Sequence, residues 1–374
     1  MLASVLINNY NYAPYLTECI QSVLDQTYSD IEIIVYDDGS TDNSLEVLSE
    51  FNDIKVISNS NYGKGHNLNQ MNAVYQAFKE STGEVIFLLD SDDYFRKDKV
   101  EKIINLFKEN PNIDVIQHPL EEVDVNRIAN GNIVPVLKKV QDYKQYIYQT
   151  ESLFHLFSMT SALIFKRTFL ENVLPLGEDS LSYIAVDTRL MQLSALSASI
   201  FTLMEPFAYY RKHGENYSGK LGDVSQHRIY TEELYSFFNK SALKNGFDSI
   251  EYSYDKYLKN TYFYHKLSID KCLQFIMRNP KNGYFIWGAG EAGQSIYHAL
   301  KDKGLNFQGF IDSDERKQNC LVMDKEVLSP ASLYDKGEIY ILISPFHAYE
   351  TIATILKNHN YIENKHFIYP YMED

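Results

Sequence analysis

The first ninety residues constrain the fold of this chain more than any other feature, because short apolar runs alternate there with helical periodicity. Runs of strand length lie at 4–7, 31–36, 54–57 and 85–89. Between them, apolar residues recur at helical spacing, as in the helix predicted to begin near Pro14. This alternation is typical of βαβ units, so the sequence predicts an α/β fold built on a parallel sheet.

Two acidic clusters follow predicted strands directly, at 37–42 and at 90–93. The carboxyl ends of parallel strands form the edge at which ligands bind in open α/β sheets. An Asp-x-Asp sequence, present in the second cluster, can hold a divalent cation there and leave room for substrate phosphates in the coordination shell. Aspartates after a strand also serve as turn formers and helix caps, and we predict Thr41 or Asp42 as the N-cap of the next helix.

Charge and hydropathy exclude several classes of protein. A net charge of −15 argues against nucleic-acid binding, because phosphates are neutralised by clustered Lys and Arg side chains. The apolar runs are far shorter than a membrane span, and the N-terminus leads into a strand pattern without a signal peptide, so the sequence predicts a cytoplasmic protein. The three cysteines are far apart and lack the paired spacing of a zinc or redox site.

The length of 374 residues suits two domains better than one. Strands are predicted near 161–165 and 200–203, with a helix beginning near Asp187 between them. The pattern then becomes mainly helical, and a second βαβ pattern begins at Tyr284. We therefore predict a first domain over 1–221, a helical connector over 222–280 and a second domain over 281–374.

Several of these segments occur together and in order, namely 8–12, 37–42, 90–93, Asp187 and 210–218. With the stretch from Tyr10 through 26–28 to Ser44, they resemble the inverting family 2 glycosyltransferases, which have the GT-A fold. The resemblance covers roughly residues 1–220. It implies an enzyme that moves a sugar from a nucleotide diphosphate donor to an acceptor hydroxyl.

The same resemblance implies partners. The donor would be a nucleotide sugar, by family expectation a UDP-sugar, and the acceptor a glycan or a lipid-linked sugar in cell-surface polysaccharide synthesis. Such acceptors imply peripheral contact with the inner face of a membrane. Assembly into a homo-oligomer is left open.

The nucleotide site implied by the resemblance lies in the first loops. Asn8 and Asp38 would contact the nucleoside, with Tyr10 in the same site, and Asp90 would reach the ribose or a metal-bound water. Lys64 could contact a phosphate, although a lysine between glycines is as often a solvated loop residue. The position of Asn8 often carries Thr, Pro or Ser in the family, and the loop that follows the third strand lacks the family's Arg-Asn pair, so the base stays open.

The resemblance also implies a metal ligand and a catalytic base. Asp92 would bind Mn²⁺ or Mg²⁺ directly, and Arg211 and His213 would approach the donor diphosphate from a C-terminal loop. Asp187 would be the base that deprotonates the acceptor hydroxyl. Its alternative role is that of a helix N-cap.

Two other carboxylates lie close to Asp187 in sequence. Glu178 and Asp179 are therefore the alternative bases.

The second domain carries a glycine-rich turn, with Gly288, Gly290 and Gly293 between a predicted strand and a helix. Asp312 follows roughly twenty residues later, as a dinucleotide fingerprint requires. The segment looks like the small Rossmann-like modules attached to bacterial sugar-modifying enzymes. Glycines in such turns also serve close packing of helix against strand.

Three interpretations of the whole chain follow from this turn. It is a transferase with a non-catalytic module, a transferase with a second nucleotide site, or a nicotinamide-dependent oxidoreductase that acts on a nucleotide sugar. Because the chain ends about eighty residues after Gly293, a full two-half dinucleotide fold would not fit, and NAD(P) is the less favoured ligand. Energy transfer from Trp287, the only tryptophan, to bound reduced nicotinamide would distinguish them.

Overall fold

The computed structural model describes residues 1–177, 179–216, 224–252, 258, 266–278, 283–301, 303–305, 307–333, 339–345 and 348–372. The chain divides into two compact units. The first comprises Met1–Leu221 and Ile229–Glu251, and the second comprises Gly222–Arg228 and Tyr252–Asp374. The domain boundaries at 221 and 280 stay predictions.

The strands of the first unit are β1 (Ala3–Asn9), β2 (Ile31–Asp37), β3 (Lys55–Ser58), β4 (Val85–Asp90), β5 (Tyr94–Phe95), β6 (Val115–Gln117), β7 (Leu120–Val123), β8 (Ala129–Val134), β9 (Leu163–Lys166), β10 (Ile200–Thr202) and β11 (Ala208–Arg211). They form a larger sheet in the order β10-β6-β9-β4-β1-β2-β3 and a smaller one in the order β5-β11-β7-β8. In the larger sheet β9 runs antiparallel to β4 and β6, and the other pairs are parallel. The predicted parallel sheet is therefore confirmed.

The helices are α1 (Ala13–Leu24), α2 (Ser44–Leu48), α3 (His66–Lys79), α4 (Lys99–Glu109), α5 (Tyr143–Thr150), α6 (Arg167–Val173), α7 (Val186–Ser197) and α8 (Val224–Lys244), the last of which belongs to the first unit from Ile229 onward. One face of the larger sheet packs on α1 and α4, and the opposite face packs on α3, α6 and α7. Val5 and Leu6 accordingly point into opposite cores, and both are buried. This burial on two faces explains why the strands read as continuous apolar runs.

Two local predictions are wrong. The N-cap of α2 is Asn43, and Asp42 instead accepts hydrogen bonds from the backbone N–H groups of Ala13 (3.0 Å) and Ser44 (3.0 Å). The strand predicted from residue 161 begins at Leu163, because Thr160–Ala162 form a short 3₁₀ turn. Both differences arise where side chains of the site take up backbone groups.

The second unit contains α9 (Ile269–Met277), α10 (Glu291–Lys301) and α11 (Tyr349–Asn358), with strands β12 (Tyr284–Trp287), β13 (Phe307–Ile311), β14 (Leu321–Val322), β15 (Lys325–Leu328), β16 (Tyr340–Ile343) and β17 (Phe367–Ile368). The sheet order is β14-β15-β13-β12-β16-β17, with β12 parallel to both of its neighbours. The first strand of the unit thus lies at the centre of its sheet, as in doubly wound folds. None of the helices in the described ranges is both long and apolar enough to cross a bilayer.

Candidate functional site

A cavity of about 730 Å³ opens in the first unit at the carboxyl ends of β1, β2 and β4. Parallel pairing places Asn8 beside Asp90 and Asn9 beside Asp37, so the loops that follow these strands converge. The residues that line it are Asn8, Asn9, Tyr10, Asn11, Tyr12, Asp38, Asn61, Gly63, Gly65, His66, Asn67, Asn69, Gln70, Ala73, Asp90, Ser91, Asp92, Asp93, Met159, Thr160, Ala185, Asp187, Tyr210, Glu215 and Asn216.

The charged side chains that line this cavity are acidic. Among the described residues it includes carboxylates but neither lysine nor arginine. These acidic side chains are Asp38, Asp90, Asp92, Asp93, Asp187 and Glu215. A diphosphate placed here would be repelled unless a cation lay between the two sets of negative charge.

Asp90 ends β4 and reaches two other elements. Its Oδ1 accepts hydrogen bonds from the side-chain amides of Asn8 (2.9 Å) and Gln70 (2.8 Å). Burial raises the pKa of Asp90 to about 7, and the charges of Asp92 and Asp187 add to the rise. A bound cation would offset the negative charges of Asp92 and Asp187. The Asp90 carboxylate therefore suits a position beside a cation.

Asp92 is held from its far side by the segment that follows β11. Its Oδ2 accepts a hydrogen bond from His213 Nε2 (3.0 Å), and Asn216 Nδ2 lies 3.5 Å away. His213 Nδ1 accepts from the backbone N–H of Glu215 (3.2 Å), which leaves the ring proton on Nε2 to face Asp92. The imidazole also stacks on Tyr15, with 4.8 Å between ring centroids.

This arrangement makes His213 a neighbour of Asp92 rather than a wall of the cavity. Its predicted contact with the donor diphosphate stays a prediction.

Arg211 lies beneath the acidic loop. Its side chain is 2% exposed, its Nε donates to the carbonyl oxygen of Asp92 (2.9 Å), and an Nη atom pairs with Glu18. Its backbone N–H donates to Asp93 Oδ1 (3.0 Å), while Ser161 Oγ donates to the other oxygen of Asp93 (2.6 Å). The guanidinium thus fixes the loop from below and does not line the cavity. Its predicted contact with the diphosphate also stays a prediction.

Asp187 lies in the first turn of α7, but Ala185 is the N-cap, so the alternative role as N-cap is wrong. Its Oδ2 accepts from the backbone N–H (3.2 Å) and the hydroxyl (3.4 Å) of Thr160, and its Oδ1 accepts from Thr188. Burial raises the pKa of Asp187 above its ordinary value, although these donors oppose the rise. A raised pKa brings a carboxylate closer to the range in which a general base is most effective.

The alternative bases differ from Asp187 in placement. Asp179 forms a bidentate ion pair with the buried Arg189, at 2.8 and 2.9 Å, and does not line the cavity. Glu178 lies outside the described residues. Asp187 is therefore the better placed of the two described carboxylates.

The predicted nucleoside side of the cavity centres on Asp38. Its carboxylate accepts from the side-chain amides of Asn61 (2.9 Å) and Asn69 (2.9 Å) and from the backbone N–H of Tyr62 (3.0 Å). Burial raises the pKa of Asp38. Tyr10 lines the cavity and is 44% exposed.

The loop beside it differs in part from the prediction. Lys64 is exposed, and its two glycine neighbours line the cavity while Lys64 itself does not. A phosphate contact by Lys64 stays a prediction.

Sequence reasoning missed two polar residues in the cavity wall, Gln70 and Thr160. The amide of Gln70 lies between Asp90 and the Thr160 hydroxyl, at 2.8 and 3.3 Å. The available signal for Gln70 was its position in the first turns of a helix that begins at the ligand edge of the sheet. Thr160 had no comparable signal, because its short 3₁₀ turn reads as part of a strand.

Family models match both parts of the chain. The model described as Glycosyl transferase family 2 matches residues 4–174, and the model described as C2185-like, N-terminal, matches residues 281–367. Residues 4–174 of the chain therefore form a glycosyl transferase family 2 domain. The match spans β1 to α6 and thus includes the strand ends that carry the acidic clusters.

Several relatives of the chain are named as glycosyltransferases. An uncharacterized glycosyltransferase of Nostoc sp. strain PCC 7120 is 38% identical over 223 residues, which are 58% of this chain and 66% of that protein. The UDP-Glc:alpha-D-GlcNAc-diphosphoundecaprenol beta-1,3-glucosyltransferase WfgD of Escherichia coli is 35% identical over 136 residues, which are 36% of this chain and 51% of that protein. The chain therefore spans less than two thirds of the length of either relative.

Among solved structures, the crystal structure of S. aureus TarS is similar with a TM-score of 0.50 and 18% identity, over 81% of this chain and 54% of that one. At this identity the likeness shows the fold alone. With the family match, it confirms the predicted GT-A fold of the glycosyltransferase part.

The cavity of this GT-A domain suits a metal ion to which the protein supplies only part of the coordination shell. Within the described ranges, no three His, Cys, Asp or Glu side chains converge as a metal-binding group. The carboxylate oxygens at the cavity are nevertheless the ligand type that Mg²⁺ and Mn²⁺ prefer, and Mg²⁺ commonly binds through one or two carboxylates plus substrate phosphates. The carboxylates that line the cavity thus fit a divalent cation.

The glycine-rich turn of the second unit is folded onto itself. Gly288 has a φ of +103°, and a Cβ on Gly293 would lie 1.8 Å from the Gly288 carbonyl oxygen, so this pair serves close packing. Asp312 Oδ2 accepts from the backbone N–H of Ala289 (2.9 Å), and Oδ1 accepts from that of Asp314 (2.9 Å). The predicted nucleotide site here stays a prediction.

Proposed function

We propose that this chain is an inverting, metal-dependent glycosyltransferase that moves a sugar from a UDP-sugar to a hydroxyl of a glycan or lipid-linked acceptor. The observation that carries the proposal is the acidic cavity at the carboxyl edge, which holds both Asp92 and Asp187 without a lysine or arginine in its described lining. The name of WfgD, with a UDP-glucose donor and a diphosphoundecaprenol-linked acceptor, supports this choice of substrates.

Asp92 would hold Mn²⁺ or Mg²⁺ on the cavity side, while His213 and Asn216 orient its carboxylate from behind. When bound, the cation neutralises charge on the donor diphosphate and on the departing nucleotide. Arg211 fixes the loop that carries Asp92 by binding its backbone carbonyl oxygen. The acidic cavity would thereby accept an anionic donor.

Asp187 would act on the acceptor. Its carboxylate takes the proton of the acceptor hydroxyl while that oxygen attacks the anomeric carbon, and the bond from that carbon to the diphosphate oxygen breaks on the opposite face. The nucleotide leaves with the electron pair, and the configuration at the anomeric carbon inverts. The raised pKa of Asp187 favours this proton transfer near neutral pH.

Asn8, Tyr10 and Asp38 would form the nucleoside side of the site, where Asn61 and Asn69 bind the Asp38 carboxylate. We propose cell-surface polysaccharide synthesis as the setting, with peripheral contact at the membrane that carries the acceptor. No role in this reaction requires the glycine-rich turn of the second unit.

The experiment that tests the proposal is a screen of nucleotide sugars with Mn²⁺ and acceptor glycans, read as released nucleotide. We expect release from one or more UDP-sugars, loss of release in a chelator, and recovery when Mn²⁺ or Mg²⁺ is restored. A β-linked product from an α-linked donor, identified by NMR, would establish inversion. Equal turnover in chelator would remove the metal from the proposal, and no turnover with any donor would overturn it.

A further inference from the structure

The side chain of Gln70 connects Asp90, which ends β4 at the cavity, with Thr160, which binds the proposed base Asp187. It projects from α3 into the cavity wall, and its Nε2 lies 2.8 Å from Asp90 Oδ1 and 3.3 Å from Thr160 Oγ1. A primary amide nitrogen carries two hydrogens, so it can donate to both acceptors at once. Gln70 thus spans from the donor side of the site to the element that holds the base.

Thr160 continues this connection to Asp187. Its hydroxyl accepts from Gln70 and lies 3.4 Å from Asp187 Oδ2, to which its backbone N–H also donates at 3.2 Å. Because a hydroxyl has one hydrogen, receiving the amide hydrogen of Gln70 leaves its own hydrogen for Asp187. Thr160 is 2% exposed, so water does not compete for these bonds.

We propose that Gln70 and Thr160 are positioning residues that hold Asp90 and Asp187 at a fixed separation, so that the base faces the acceptor hydroxyl when the donor is bound. This role rests on the proposed transfer reaction. In this series of hydrogen bonds, Gln70 donates to Asp90 on one side and to Thr160 on the other. Thr160 in turn donates to Asp187. Neither residue needs to touch the reacting atoms, because each acts through a carboxylate that lines the cavity.

The hydrogen bonds of Gln70 and Thr160 have an electrostatic effect in addition to their contribution to packing. Asp90 and Asp187 are both negative when ionised, and both line the same cavity. Two like charges in one cavity move apart unless hydrogen-bond donors are fixed between them. A displacement of about 1 Å at a reacting group costs on the order of a hundred-fold in rate.

The test uses the full chain with substitutions that keep side-chain volume. Gln70→Met removes both amide donors, and Thr160→Val removes the hydroxyl but leaves the backbone N–H on Asp187. Thr160→Ser keeps a hydroxyl. Gln76→Met is the matched control, because Gln76 lies on the same helix, contacts Asn72 and does not line the cavity.

We expect kcat to fall about ten- to a hundred-fold in Gln70→Met and Thr160→Val, with the donor KM unchanged within about three-fold. Thr160→Ser and Gln76→Met should retain kcat within about three-fold. The double variant Gln70→Met/Thr160→Val should be no slower than the slower single variant, because either substitution interrupts the same chain.

Three results would overturn the positioning role alone while the wild-type chain transfers sugar. These are unchanged kcat in both single variants, losses that multiply in the double variant, and a Thr160→Ser variant as slow as Thr160→Val. A donor KM raised about ten-fold in Gln70→Met with intact kcat would make Gln70 a donor-binding residue instead. A wild-type chain that transfers no sugar from any donor would overturn both this role and the proposed function.

Discussion

Both units place an aspartate at the carboxyl end of a parallel strand, but they use it differently. In the first unit, Asp90 and Asp92 line a cavity and are bound by side chains from other elements. In the second, one oxygen of Asp312 accepts the backbone N–H of Ala289 in the glycine-rich turn, and the other accepts that of Asp314 in its own loop. The carboxylates at the edge of the first unit face a cavity, whereas the carboxylate of Asp312 in the second unit binds the backbone of a turn.

The difference shows that an aspartate at a strand end can be bound either by side chains or by backbone amides. A carboxylate that accepts backbone amides stabilises the loops that carry those amides. A carboxylate among other carboxylates is destabilised until a cation or proton arrives. The acidic edge is therefore the one whose chemistry should respond to metal, pH and substitution.

The largest expected effect follows from removing Asp92. We expect Asp92→Ala to lower turnover by about a thousand-fold or more, because the cation would lose its direct protein ligand. Asp53→Ala is the control, since Asp53 is an exposed aspartate outside the cavity. Initial rates with saturating Mn²⁺ measure the loss, and an unchanged melting temperature shows that the fold persists. Full turnover by Asp92→Ala in metal-free buffer would remove Asp92 from the metal site.

A smaller effect is expected at Asp187, because a base acts in the chemical step alone. Asp187→Asn should lower kcat by about a hundred- to ten-thousand-fold at nearly unchanged donor affinity. Both carboxylate oxygens accept hydrogen bonds from Thr160 or Thr188, so one amide hydrogen of the asparagine would face a donor. A stability loss of about 1 kcal/mol is therefore expected.

Calorimetric titration of UDP with Mn²⁺ separates the roles that Asp187 could have. Donor affinity that falls together with turnover would assign Asp187 to the nucleotide or metal site. Turnover that survives Asp187→Asn would leave the base to another carboxylate, with Glu178 and Asp179 as the nearest in sequence.

The fold and the acidic edge could be predicted because their signals are local. Buried strands read as apolar runs, and the aspartates that end them lie next in sequence, so β1, β2 and β4 fixed the position of Asp90 and Asp92 in advance. The contacts of Arg211 could not be predicted in this way. A charged residue after a strand resembles a ligand, and only the tertiary packing on Glu18 and the Asp92 carbonyl shows it to be buried.

The connection between Gln70 and Thr160 escaped prediction for a related reason. The two residues are separated by 90 positions, and a single sequence contains no signal that pairs residues so far apart. The nucleotide site predicted from the fingerprint of the second unit stays a prediction. Its spacing suits a nucleotide, yet the hydrogen bond from Ala289 to Asp312 occupies one of the turn's own amides.

The stability of the protein should depend on pH through the acidic edge. The pKa of Asp90 is raised to about 7, so its contribution to stability is full at low pH and is lost as the pH rises through about 7. The melting temperature of the metal-free protein should therefore fall by roughly 3–6 °C between about pH 6 and pH 8. Differential scanning fluorimetry in chelator measures this fall.

One variant assigns the fall to the acidic edge. Asp90→Asn should make the fall in melting temperature shallower, because the amide does not ionise. An equally steep fall in Asp90→Asn would show that Asp90 is not its source.

The smallest expected effect on transfer comes from the glycines of the second unit. A Cβ on Gly293 would lie 1.8 Å from the Gly288 carbonyl oxygen, so Gly293→Ala should destabilise that unit by about 1–3 kcal/mol. A Cβ on Gly290 would meet no atom within 4 Å, so Gly290→Ala is the matched control. Since no residue of the acidic cavity belongs to the second unit, UDP affinity should remain unchanged in both variants.

Denaturant unfolding followed by Trp287 fluorescence reports the stability of the second unit, and UDP titration reports the cavity. If Gly290→Ala, which leaves the packing intact, weakened UDP binding, the glycine-rich turn would take part in donor recognition, and the two edges would be parts of one site.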